Sequence, residues 1–335
     1  MIKLGTLLCT LLGITLIAFF VIRLAPGNPV LLMIGERGAD PRQYQEALHR
    51  LSLDRPLFEQ YLGFVGRASG GDFGSSIVSG RSVQTELLAR WPATIELGVA
   101  VILLSLLVGV PAGVIAAIRR RSVVDKLITV GSLIGYSMPV FWLGLVLILV
   151  FSEMLGLTPV SGRLDIAFDI RPATGFMLID TLLPEATARY GLDAFFSALH
   201  HLLLPTLTMA ATPIAVFARM TRASMSEVLG EDYIRTARAK GLAALRIIWL
   251  HALRNALLPV ITVGGLFFVS SAIAGAILTE TIFGWPGVGS YIVNSVYARD
   301  YPVIQGSILL IGVLVILTNA GVDLLYRVAN PRMRV

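Results

Sequence analysis

Apolar residues in this chain come in six long runs, and most of the charge falls in the intervals between them. The runs lie at about Leu4–Leu24, Ala93–Ile118, Leu127–Phe151, Leu202–Phe217, Leu257–Thr279 and Val303–Leu325. A helix of roughly 20 apolar residues crosses the ~30 Å hydrocarbon layer of a bilayer. The pattern therefore predicts an all-α polytopic membrane protein with about six transmembrane helices. Pro205 and Pro213 interrupt the fourth run, which predicts a broken helix there. Irregular backbone inside a membrane is tolerated where it is buried in protein or lines a cavity. These two prolines are read either as facing a pathway through the bundle or as a packing kink.

The intervals set the topology. Arg119-Arg120-Arg121-Ser122-Val123-Val124-Asp125-Lys126 is a short, strongly basic hairpin between the second and third runs. Basic loops stay on the cytoplasmic side, so this hairpin orients the chain, and six spans then leave both termini cytoplasmic. Lys3 and the run after it also have the parts of a cleavable signal peptide. That run exceeds a signal core, and Arg23 and Pro26 follow without a small-x-small cleavage site, so residues 1–24 are read as a retained first span. Residues 25–92 are polar and mixed in charge, and read as a periplasmic insertion subdomain. Amphipathic helices are expected within it over Pro41–Leu51 and Pro56–Val65, with a glycine-rich turn at Ser69–Gly74. Residues 93–335 then form a core of five spans. The interval Glu153–His201 is external and net negative; its neighbours His200 and His201 lack an i, i+4 partner, so no metal site is expected.

The most polar segment near the middle of the chain is Met220–Pro259, within a cytoplasmic loop at 219–256. Ser226, Glu227, Gly230, Glu231 and Asp232 put polar and acidic groups where the free N–H groups of a helix start attract them. Tyr233–Lys240 reads as a short helix, with Arg235, Arg238 and Lys240 weighted toward its end and Gly241 supplying the left-handed residue that closes it. A second helix is expected from about Ala243 to Asn255. A short helix held by its ends between two spans, with polar and basic side chains outward, suits docking to a soluble partner.

The run Glu231-Asp232-Tyr233-Ile234-Arg235-Thr236-Ala237-Arg238-Ala239-Lys240-Gly241, with His251-Ala252-Leu253-Arg254-Asn255-Ala256-Leu257-Leu258-Pro259 after it, closely resembles the cytoplasmic "EAA" loop of ABC importer permeases. It is most similar to the dipeptide/oligopeptide branch, in which Arg235-Thr236-Ala237 stands where other branches have Glu-Ala-Ala. The segments Leu157–Arg163 and Thr174–Asp180 are also similar to that branch, as is Thr279–Gly289, which reads TETIFGWPGVG. The resemblance implies a type I importer permease fold with an external insertion after the first span. It implies that Glu231, Asp232, Tyr233, Arg235, Thr236, Ala237, Arg238, Lys240 and Gly241 couple the chain to ATPase subunits. The implied partners are a second homologous permease, one or two cytoplasmic ABC ATPases, a periplasmic substrate-binding protein and the lipid of a bacterial inner membrane. ATP and magnesium would be bound by the ATPases, with no cofactor in this chain. The implied cargo is di- or oligopeptide, the alternatives being nickel chelates, glutathione or antimicrobial peptides. Small residues in the fifth run, Ser270 and Ser271 among them, either pack against the second permease or face the pathway. Glu280, at the outer end of that run, either has a structural role or touches passing cargo.

Composition narrows the alternatives. The chain has 335 residues, 56% of them hydrophobic and 14% charged, with a mean hydropathy of +0.79. A soluble protein carries nearer a quarter charged residues. The net charge of +6 resides in basic residues beside the spans, which argues for topology and against nucleic acid. The single cysteine, Cys9, excludes an intrachain disulfide. The three lysines, Lys3, Lys126 and Lys240, follow no glycine-rich phosphate loop, and neither HExxH nor GxSxG occurs. No catalytic residues are expected, and the chain reads as a conduit. A secondary transporter would show inverted repeats and acidic groups at mid-membrane; neither is visible.

Overall fold

The computed structural model describes residues 4–24, 54–257, 259–260 and 276–329, with a few isolated positions between 42 and 49. The described residues are helical, and their only bridge of β type is the isolated pair Ser75–Ser82. They fall into two compact units, one of Met1–Trp91 with Tyr291–Leu317 and the other of Pro92–Ser290 with Thr318–Val335.

In the first unit, α1 (Leu4–Leu24) and α2 (Leu57–Ser69) bury Ala18, Phe19 and Phe64 together with Leu309. Pro56 opens α2 with its fixed φ, as the expected helix at Pro56–Val65 requires, and the helix runs four residues further. Gly70 ends it, and Gly71 and Gly74 take positive φ in the turn that follows. The expected helix at Pro41–Leu51 lies outside the described residues apart from isolated positions.

Three described helices are long and apolar enough to cross a membrane, or four spans if one bent pair is counted as a single crossing. The first is α3 (Val83–Ile118), which begins ten residues ahead of the expected span because the amphipathic stretch before Ala93 continues the same helix. The bent pair is α4 (Val123–Ser137) and α5 (Val140–Met154), which turns by 103° at the break. This corrects the expectation of a single span over Leu127–Phe151. Pro139 pushes the residue before it out of the helical region, and Met138 and Pro139 both take extended ψ values of 128° and 130°.

The opposite correction applies to α8. After two short helices, α6 (Met177–Asp180) and α7 (Pro184–Tyr190), α8 runs unbroken from Asp193 to Val228 with Pro205 and Pro213 inside it. Each proline removes one N–H, yet the helix continues through both, as α3 continues through Pro92 and Pro111. Its apolar window is 61% buried, against 39% for α3.

The close approach of α3 to α8 has an identifiable cause. A Cβ at Gly109 would lie 2.8 Å from the Cβ of Phe217, and one at Gly113 would lie 2.5 Å from the Ala218 carbonyl oxygen. Two glycines four apart present a bare helix face against which another backbone can pack. The fifth run is described only at its ends, so Ser270 and Ser271 lie outside the described residues. Of the last two helices, α11 (Val288–Tyr297) and α12 (Tyr301–Ala329), the second covers the sixth run.

Candidate functional site

The loop after α8 is built from the inside outward. α9 (Asp232–Ala239) begins one residue earlier than expected, with Glu231 at its N-cap in extended conformation and making no side-chain cap bond. The acidic start therefore acts only through the helix dipole, worth a few tenths of a kcal/mol when exposed (~0.3–1). What holds α9 in place is burial. Ile234 and Ala237, three apart on one face, join Val110, Val114, Ala117 and Met225 in a common core, completed by Ile247 and Ala252 from the following segment. Ile234 is fully buried, and removing such a side chain costs about 2–5 kcal/mol.

The opposite face is polar and exposed. Glu231, Asp232, Tyr233, Arg235, Thr236, Arg238 and Lys240 are all open to solvent, while Ala237 faces inward. Arg235 pairs with Asp232 at 3.2 Å, an exposed contact of small energetic value. Gly241 closes the helix with φ +74°, its N–H donating to Arg238 and the Leu242 N–H reaching back to Ala237. That left-handed closure, expected from the sequence, is present. The second arm is α10 (Ala244–Arg246), then a π-helical turn over Ile247–Ala252 and helix again over 253–257. Tyr233 ties the two arms together: its hydroxyl accepts from Asn255 Nδ2 at 2.8 Å and donates to the His251 carbonyl at 3.4 Å.

Beside this loop, Arg222 of α8 donates two hydrogen bonds to Asp125 of α4, from Nε at 2.5 Å and Nη2 at 2.9 Å. Asp125 also accepts the Arg121 N–H, at a residue with φ +66°. One carboxylate thus closes the basic hairpin and fixes α4 to α8. Sequence reading missed this pair because its members are 97 residues apart; only the lone acid among four basic residues hinted at it.

A second polar cluster surrounds Glu280, which is fully buried near the start of the Thr279–Gly289 segment. Its carboxylate accepts the Thr94 hydroxyl at 2.6 Å and the Ser290 N–H at 3.0 Å. A Cβ on Gly287 would overlap that carboxylate, and one on Gly289 would lie 2.7 Å from the Ile277 Cα. The two glycines of Trp-Pro-Gly-Val-Gly are therefore required by the carboxylate they enclose. Trp285 donates its indole N–H to the Ala93 carbonyl at 2.9 Å, and Arg163 stands over the indole ring while pairing with Glu96. Of the residues singled out for a pathway, Glu280 points into this cluster, and Pro205 and Pro213 lie within α8.

The arrangement is that of long apolar helices with a short helix after α8 whose outer face is polar and exposed. Residues 109–335 match the family described as "Binding-protein-dependent transport system inner membrane component", and the chain belongs to that family of ABC importer permeases. The chain is 53% identical over 332 residues to the "Di/tripeptide transport system permease protein DppB" of Pseudomonas aeruginosa (strain UCBPP-PA14), covering 99% of this chain and 97% of that protein. It is 49% identical to the "Dipeptide transport system permease protein DppB" of Escherichia coli (strain K12), at 99% and 97% coverage. To the "Oligopeptide transport system permease protein AppB" of Bacillus subtilis (strain 168) it is 40% identical, at 96% and 95% coverage. Its fold is similar to that of a chain in the inward-facing MetNI methionine ABC transporter, with a TM-score of 0.51 over 73% of this chain and 96% of that one, at 16% identity.

Proposed function

We propose that this chain is the translocation subunit of an importer for di- and oligopeptides, driven by ATP that other subunits hydrolyse. The observation that carries the coupling role is the two-faced α9: Ile234 and Ala237 anchor it to the bundle while its polar face stays open. A helix docked this way passes a push on its outer face directly to the ends of α3 and α8. The peptide cargo is supported by the near-full-length similarity to the peptide permeases above. Two cytoplasmic ABC ATPases, holding ATP and magnesium, would dock on Glu231–Gly241. A second homologous permease would complete the pore, and a periplasmic binding protein would deliver the peptide. Residues 25–92 would be the periplasmic insertion, 93–335 the permease core, and both termini cytoplasmic. A ligand-driven switch needs contacts that differ between two states, and α9 is where ATPase closure would make them.

The test is peptide-stimulated ATPase activity of the assembled complex in lipid with its binding protein, for the native chain and for Gly241→Asp. Gly241 sits at φ +74° with open space around it, so the substitution strains only the helix closure, by about 1–2 kcal/mol. Dipeptides should stimulate the native complex, and stimulation should collapse in the variant while assembly persists. Stimulation by nickel chelates, glutathione or cationic peptides alone would overturn the cargo. Failure of the chain to bind any ATPase would overturn the coupling role.

A further inference from the structure

A cavity of about 600 Å³ opens between the end of α3, the end of α8 and the arm that follows α9. Its walls are largely apolar, with Ala117 and Ile118 on one side and Leu242 and Ile248 on the other. Two cations, Arg120 and Arg238, line the same cavity. Both are exposed, and none of the ion pairs among the described residues involves either of them. An apolar slot edged by two unpaired guanidinium groups matches a ligand with a hydrocarbon part and an anionic head. Guanidinium is always charged and its planar fork fits phosphate oxygens. The slot lies where the apolar length of α3 ends at Ile118 and the basic run Arg119–Arg121 begins. In a membrane protein that transition marks the level at which hydrocarbon gives way to headgroups.

We propose that this cavity binds an anionic phospholipid, its phosphodiester held between Arg120 and Arg238 and its acyl chain laid against Ile118 and Ile248. The bound lipid would wedge the arm after α9 against the bundle, giving Arg238 a role apart from ATPase docking. The proposal depends on the membrane placement of α3 and is independent of the peptide cargo.

Native mass spectrometry of the complex, exchanged into phosphatidylglycerol or phosphatidylcholine, measures retained lipid directly. Each basic residue beside an anionic headgroup is worth roughly five-fold in affinity. Phosphatidylglycerol should therefore be retained by the native complex and bind about 30-fold more weakly to Arg120→Gln/Arg238→Gln. Ile248→Trp, which fills the slot and leaves both charges, should also exclude it, and millimolar inorganic phosphate should not displace it. Equal retention by native and double variant would overturn the proposal, as would equal retention of phosphatidylcholine. Displacement by inorganic phosphate would assign the arginines to a soluble anion. ATPase co-purification is read from the same samples: if it alone falls in the variants and lipid retention does not, the slot belongs to the ATPase interface and the lipid proposal is refuted.

Discussion

Gly289→Ala probes the Glu280 cluster most directly. The added Cβ would meet the Ile277 Cα at 2.7 Å, the Ile277 nitrogen at 3.0 Å and Glu280 Oε2 at 2.9 Å. Two of these three neighbours are backbone atoms in the helix over 276–282, so no side-chain rotation relieves the overlap. Restoring ordinary contact requires residue 289 to withdraw by roughly 0.5–1 Å. The adjacent Ser290 N–H, now 3.0 Å from the carboxylate, then passes beyond hydrogen-bonding distance. Overpacking costs about 1–3 kcal/mol, and a lost hydrogen bond to a charged group costs about 1.5–3 kcal/mol. The sum is about 2.5–6 kcal/mol, which lowers the apparent melting temperature of a chain this size by something on the order of 4–9 °C. The assay is thermal unfolding of the full chain in detergent, followed by loss of the monodisperse peak. Gly98→Ala is the control, because nothing lies within 4 Å of that position. Glu280→Gln should also cost less in the Gly289→Ala background than alone, since the Ser290 bond is already gone. Melting of Gly289→Ala within a degree or two of Gly98→Ala would refute the reasoning.

Asp125→Asn should lower the melting temperature of the chain, since it leaves the Arg222 guanidinium without the carboxylate it grips at two points. Arg222→Lys should show a loss of its own in the same assay, because a single ammonium cannot reproduce that two-point contact. Ile234→Ala should remove about 3 kcal/mol of packing beneath α9, reducing peptide-stimulated ATPase activity several-fold with the subunits still assembled. Unchanged stimulation would show that α9 is held by something other than this side chain. Asp300 accepts hydrogen bonds from the Ser76 hydroxyl and from the N–H groups of Ile77 and Val78. Asp300→Ala should therefore loosen the turn at 76–80 and speed tryptic cleavage at exposed Arg81 by ten-fold or more, as loss of charged hydrogen bonds worth at least ~1.5 kcal/mol implies. An unaltered cleavage rate would count against that anchoring.

The features legible in the sequence were those encoded locally. Gly241 could be read as a left-handed closure because residue type and backbone need coincide at one position, and Pro56 as a helix start for the same reason. The apolar runs located α1, α3, α8 and α12 because hydrophobic length alone decides what crosses a membrane. Prolines were harder to read. Pro139 breaks its helix while Pro92, Pro111, Pro205 and Pro213 do not, a difference that residue type alone does not encode. The partners of Asp125, Glu280 and Asp300 were invisible because each joins segments far apart in the chain. The Gly109-x-x-x-Gly113 spacing is a readable signal for the α3–α8 approach.

The continuity of α8 bears on how force travels. Its 36 residues make a rod about 54 Å long at 1.5 Å per residue, well beyond the ~30 Å of a bilayer's hydrocarbon. Pro205 and Pro213 lie inside it without ending it, so one helix would carry a displacement across that whole length. The close contact with α3 at Gly109 and Gly113 would serve as its pivot. Movement of the loop beyond Val228 on one side of that pivot would then appear with the opposite sense on the other.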